Sequence, residues 1–258
     1  MRRLARREER ADFTWVNMVA VWDAAEERGG GRLVYQPLER AAGGETGARL
    51  SAALREDAES HAALPGALER VGVGDLEGRP AIVYAPFEGT PLKTLLDTAA
   101  SAPWPATTAA RVGAAACAAL ARRPRPDPRL NLLLAPDGSW RRLPSLDAVH
   151  RVEAPFFTAA EQLWPVGVAP PELLLGLEED ARAAALQVAA LVVQLATGRR
   201  PLALGPLAFA QARAGERLAD PAALEGLVPA LARALAPAFA PHATRCGVGE
   251  LGDRLWRV

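Results

Sequence analysis

The chain has 258 residues, half of them apolar and 23% charged, the balance of a globular protein with a sizeable core. Thirty basic side chains offset thirty acidic ones, so no net field draws the chain to nucleic acid or to an anionic membrane. Cys117, Cys246 and histidines at 61, 150 and 242 give no metal-ligand spacing, and no apolar run reaches membrane-spanning length. No cofactor is expected, the N-terminus lacks the apolar core of a signal peptide, and the cytoplasm is the expected compartment.

Residues 1–12 read as a charged, solvated arm. Phe13–Trp22 is rich in Trp, Val and Met and reads as a strand; Glu26–Gly31 turns the chain, and Arg32–Leu38 completes a hairpin. Leu50–Leu64 has helical periodicity, with Leu50, Ala53, Leu54, Ala58, His61 and Ala62 near one face, and Pro65-Gly66 stops it. Leu68–Val73 and Ala81–Tyr84 form a second hairpin across Gly74–Gly78. From Pro91 onward helices dominate: one begins over Thr90–Leu96 with Pro in its first turn, and another covers Thr107–Arg122. Leu130–Leu134 and Arg141–Leu143 read as a small hairpin about Pro136-Asp137-Gly138. Glu178–Ala196 is the most apolar helix, polar only at its start, a pattern that fits burial on all sides. Pro221–Leu235 and Val248–Trp256 close the chain as helices.

Val168-Ala169-Pro170-Pro171-Glu172, the apolar helix after it and the exit Thr197-Gly198-Arg199-Arg200-Pro201 resemble the large lobe of bacterial Ser/Thr protein kinases. Four further stretches are similar to that family in the same order. Asp75–Tyr84 resembles the approach to the interlobe hinge, and Phe87-Glu88-Gly89-Thr90-Pro91-Leu92 resembles the hinge exit. Leu132–Gly138 resembles the strand and turn after the catalytic loop, and Ala236–Arg245 the arginine-bearing end of the lobe. The resemblance implies an α+β, two-lobed protein-kinase-like fold. Residues 13–86 would form the small lobe, with an antiparallel sheet and one helix, and residues 87–258 a mainly helical large lobe. It also implies a buried ion pair between Glu172 and Arg245, a pair that a fold retains because removing one partner strands the other charge.

At the stations of phosphoryl transfer the residues differ. That chemistry uses a Gly-rich loop, a strand Lys paired with a helix Glu, a catalytic-loop Asp and Asn, and the metal-binding Asp of D-F-G. Where the Gly-rich loop belongs, Arg7–Thr14 has no glycine and carries Glu8, Glu9 and Asp12. The strand Lys falls on Gln36, and the best match for the helix Glu is Glu56, which reads as a surface residue without that Lys. The catalytic loop is short and holds three prolines; its base position falls on Pro126, with Asp127 one place off, and Asn131 takes the place of the metal-binding Asn. D-F-G falls on Pro144-Ser145-Leu146, with Asp147 three residues late. The Asp that braces the catalytic loop from the buried helix falls on Ala184.

The expectation is therefore a pseudokinase that is not an enzyme, does not bind Mg-ATP and serves as a protein-binding scaffold or allosteric regulator. Another protein is the expected partner. Its candidate surfaces are the aromatics Phe156, Phe157 and Trp164 within Val152–Val166, and the basic cluster Arg122, Arg123, Arg125 and Arg129. Two rivals stand beside it. In a residual nucleotide-binding or transferase activity, Asp127, Asn131 and Asp147 would converge in a rearranged site. In a helical interaction protein with accidental kinase likeness, the five-stranded small lobe would be missing.

Overall fold

The structure, a computed structural model, describes residues 3–8, 18–23, 32–35, 43–60, 70–76, 79–86, 89–121, 132–142, 147–153, 168–177, 180–216 and 219–258. The chain divides into two compact units. Met1–Lys93, Asn131–Asp137 and Arg141–Glu161 make up the first; Thr94–Leu130, Gly138–Trp140 and Gln162–Val258 make up the second.

In the first unit, strands β1 (Arg3–Glu8), β2 (Met18–Asp23), β3 (Arg32–Tyr35), β4 (Arg70–Leu76) and β5 (Arg79–Pro86) close a barrel in the order β1-β2-β3-β5-β4. All neighbours are antiparallel except β1 and β4, which close the ring in parallel through Arg3 opposite Asp75 and Leu4 opposite Leu76. Register shifts at Arg6/Glu8, Arg32/Val34 and Arg70/Gly72 supply the extra bending that closing so small a sheet requires. Arg3–Glu8, read from sequence as part of a solvated arm, is thus a barrel strand. The helical rival without a five-stranded lobe is set aside by this barrel. Thr90–Pro91 (β6), Leu132–Leu134 (β7) and Trp140–Arg142 (β8) form a separate three-stranded sheet, and Gly138 takes φ +78° in the turn between β7 and β8.

Helix α1 (Gly44–Ser60) buries Leu50, Ala53, Leu54 and Asp57, an i, i+3, i+4, i+7 stripe. It packs on α4 (Asp147–Glu153), a helix that the sequence reading left out.

The second unit is helical: α2 (Leu92–Ser101), α3 (Ala106–Ala121), α5 (Pro171–Leu174), α6 (Ala181–Thr197), α7 (Gly205–Ala214), α8 (Pro221–Leu224), α9 (Pro229–Leu235) and α10 (Val248–Leu255). Short 3₁₀ turns at Ala236–Phe239 and His242–Thr244 lead into α10. Proline stands in the first turn of α5, α7, α8 and α9, where its missing N–H costs no hydrogen bond. The single helix expected over Pro221–Leu235 is two helices, α8 and α9, and α7 is a helix without a counterpart in the sequence periodicity.

Helix α6 is the axle of this unit, with every side chain from Ala183 to Leu195 buried. Its N-terminus is capped by Asp180, which accepts from the N–H groups of Arg182 and Ala183. Small residues bring its neighbours close. A Cβ on Gly113 of α3 would run into Val192, and a Cβ on Gly252 of α10 would sit 3.0 Å from Cys117 Cβ. The indole N–H of buried Trp140 donates to Val112 O at 3.0 Å, so its one polar atom is satisfied. Among the described residues no helix is long and apolar enough to cross a membrane.

Gly198 ends α6 at φ +70°, and its N–H donates to Gln194 O at 2.8 Å. A Cβ there would lie 2.8 Å from the carbonyl oxygen of Ala99 in α2, so backbone strain and collision add. Gly198→Ala is expected to lower stability by about 1–3 kcal/mol. A urea titration checks this: the midpoint falls while the slope stays unchanged.

Candidate functional site

Pro170 and Pro171 set the backbone for the single-turn helix α5, and this short helix carries Glu172 into the interior. Arg245 reaches it from the end of the second 3₁₀ turn. Arg245 Nη1 lies 3.3 Å from both carboxylate oxygens of Glu172, with the two side chains 3% and 9% exposed respectively. The guanidinium also donates from Nε to Ala240 O at 3.1 Å and from Nη1 to Arg182 O at 3.4 Å. One cation therefore joins α5, the first turn of α6 and the segment leading to α10. A buried pair is tolerable only when its remaining donors are satisfied in this way.

The cluster extends to the surface. His242 Nε2 stands 3.2 Å from Asp180 and 4.0 Å from Glu172 Oε1. At Asp180, burial pushes the carboxyl pKa up. Hydrogen bonds from the Ala183 N–H, from His242 and from the Arg182 N–H outweigh it and hold the group below its ordinary value. The cap that starts α6 is thus a carboxylate under ordinary conditions. Cys117 and Cys246 are free and buried, and desolvation raises both thiols, which leaves them little thiolate for reaction.

In the first unit a second carboxylate matters, one that motif matching missed. Asp57, 4% exposed, accepts from Ala148 N at 3.0 Å and from Val149 N at 2.8 Å. It caps the N-terminus of α4 from a different helix, where a negative charge also meets the positive end of the helix dipole. Its signal in the sequence is a carboxylate at the i+7 place of an otherwise apolar stripe. Glu56, one residue earlier, points to solvent and pairs with Arg151 of α4 at 3.3 Å, the two side chains being 64% and 67% exposed. A pair so exposed contributes at most about 1 kcal/mol.

Asp147 opens α4, and Ala184 lies fully buried on α6, so that position offers no carboxylate. Gln36, Pro126, Asp127, Asn131 and Pro144 lie outside the described residues, as do Arg122, Arg123, Arg125, Arg129, Phe156, Phe157 and Trp164. Among the described residues no cluster of His, Cys, Asp and Glu side chains is arranged to hold a metal ion.

No family model matches the chain, and no curated protein matches it. Among solved structures it is similar to the kinase domain of Mycobacterium tuberculosis PknI, with a TM-score of 0.57 and 19% sequence identity. The match covers 92% of this chain and 89% of that one. The fold is Ser/Thr-kinase-like. At this identity the likeness speaks for the fold alone. It also corrects the expectation that the chain is not an enzyme, because the architecture shared over nearly its whole length is that of a kinase domain.

Two predictions follow from these clusters. Glu172→Leu and Arg245→Met are each expected to cost about 3–5 kcal/mol, since each strands a buried charge. The double variant should lose clearly less than the sum, a non-additivity that a double-mutant cycle by urea unfolding would read. Asp57→Ala should cost about 1–2 kcal/mol and speed hydrogen exchange at the amides of Ala148 and Val149 ahead of those in α6.

Proposed function

We propose that this chain is a kinase-fold regulatory domain that works by binding another protein, with its nucleotide stations altered. The observation that carries this reading is the pairing of α1 with α4. Helix α1 turns Asp57 inward to cap α4, and Glu56 faces solvent. In a working kinase the corresponding helix offers a Glu to a strand Lys; in this sequence Gln36 stands at the Lys position. The D-F-G position, Pro144-Ser145-Leu146, immediately precedes α4, and Asp147 is that helix's first residue. These features support a domain whose phosphate and magnesium contacts have been exchanged for a fixed helical contact. The basic cluster at 122–129 and the aromatics Phe156, Phe157 and Trp164 are the surfaces assigned to the partner.

A second reading is favoured by the kinase likeness over 92% of the chain: phosphoryl chemistry on a rearranged set, with Asn131 and Asp147 as metal ligands and Asp127 as base. Thermal unfolding with Mg-ATP separates the two. A ligand at a hundred times its Kd adds about 2.7 kcal/mol, a rise of roughly 5–10 °C for a chain of this size. The binding-domain reading expects no rise at millimolar Mg-ATP, together with capture of a stoichiometric partner that is lost when residues 154–166 become a Gly/Ser linker. A rise that Asp147→Asn abolishes would replace it with the second reading.

A further inference from the structure

A groove on the second unit, built only from α3 and α10, goes beyond the reading above and does not depend on it. Ala114, Ala118 and Ala121 recur at i, i+4 and i+7 on α3 and form its floor beside Ala115 and Cys117. Gly249, Gly252, Asp253 and Trp256 form the α10 side. Gly252 lets the helices approach at Cys117, while the alanines and Gly249 leave room above that contact. The result is a cavity of about 400 Å³, within the range of sites that accept one or two side chains or a small ligand.

Two features of this groove bear on what it would hold. The Trp256 side of the groove is open, the residue being 72% exposed, the most exposed large apolar side chain described. Asp253, three residues earlier on the same helix face, has no hydrogen bond or ion pair among the described residues, and it is the one charged residue of the lining. Among the described residues, Arg254 beside it is held by Glu250 at 2.8 Å and 3.1 Å. Arg257 is not part of the lining. The groove therefore presents an apolar floor, an aromatic side and a carboxylate with no ion pair among the described residues. An anionic ligand is disfavoured by Asp253. A cation next to an apolar group is favoured twice, by the carboxylate and by the indole face.

We propose that the α3–α10 groove is a docking site for a basic-apolar peptide segment of another protein, in which an aliphatic side chain fills the alanine floor and an adjacent Arg or Lys lies between Asp253 and Trp256. The test uses the full chain labelled with 5-fluorotryptophan, the Trp256 ¹⁹F resonance being assigned by Trp256→Phe. Acetyl-Leu-Arg-Leu-Arg-amide is titrated beside its Leu-Gln-Leu-Gln and Leu-Glu-Leu-Glu counterparts. The Arg peptide should move the Trp256 resonance and bind about tenfold more tightly than the Gln peptide, and the Glu peptide should not bind. Asp253→Asn should reduce the Arg preference to about threefold. Ala118→Leu, at an exposed position on the floor, should abolish the shift without changing the melting temperature. An unmoved resonance at millimolar Arg peptide overturns the proposal, as does equal binding of all three peptides, which would mark an apolar ligand or a second copy as occupant. A shift that survives Ala118→Leu does the same.

Discussion

The ion pair between Glu172 and Arg245 is the constraint on which the helical unit depends. Neither charge can be left alone at that depth, so the chain around it has to deliver both partners and enough acceptors to satisfy the guanidinium. It does so from three directions: the single turn of α5, the carbonyl of Arg182 at the start of α6, and the carbonyl of Ala240 before α10. Fixing the first turn of α6 fixes the axle against which α3 and α10 pack. Asp180 and His242 carry the same cluster outward, so the cap that begins α6 belongs to one continuous set of charges.

What could be read in the sequence was punctuation and burial. Pro170-Pro171-Glu172, the run Ala183–Leu195 and the Gly198 stop each agree with one local rule: a proline that starts a turn, a mostly apolar helix that must be buried, a glycine that takes φ +70°. The misses have separate causes. Arg3–Glu8 carries too many charges to alternate like a strand, and its pairing comes from β2 and β4, not from its own pattern. Helix α7 shows no periodic apolar stripe: it buries only alanines, Ala208 and Ala212, and leaves Leu207 and Phe209 exposed. The break between α8 and α9 sits at Val228-Pro229, where proline biases the preceding residue out of the helical region; Val228 is extended at ψ 146°.

The step from changed motifs to absent activity reached too far for a physical reason. Motif matching compares positions along the chain, but catalysis depends on which groups converge on a reacting atom, and geometry comes before residue identity. The expectation that Pro126 and Pro144 fall at two stations rests on distances along the chain alone. It does not say where Asp127, Asn131 and Asp147 come to rest. The fold likeness restores the scaffold to the account and leaves function to be argued from sites.

The same reasoning explains why the informative carboxylate on α1 is Asp57. Successive residues on a helix point about 100° apart, so a helix that buries residue 57 against α4 leaves residue 56 at the exposed edge of that contact. The N-terminus of α4 offers two backbone N–H groups and the positive end of a helix dipole. One rotational setting of α1 therefore satisfies both carboxylates: Asp57 against the backbone of α4, and Glu56 in water beside Arg151. The choice of Asp over Glu follows as well, since the shorter side chain brings its oxygens to 3.0 Å and 2.8 Å of N–H groups on a helix packed directly against its own.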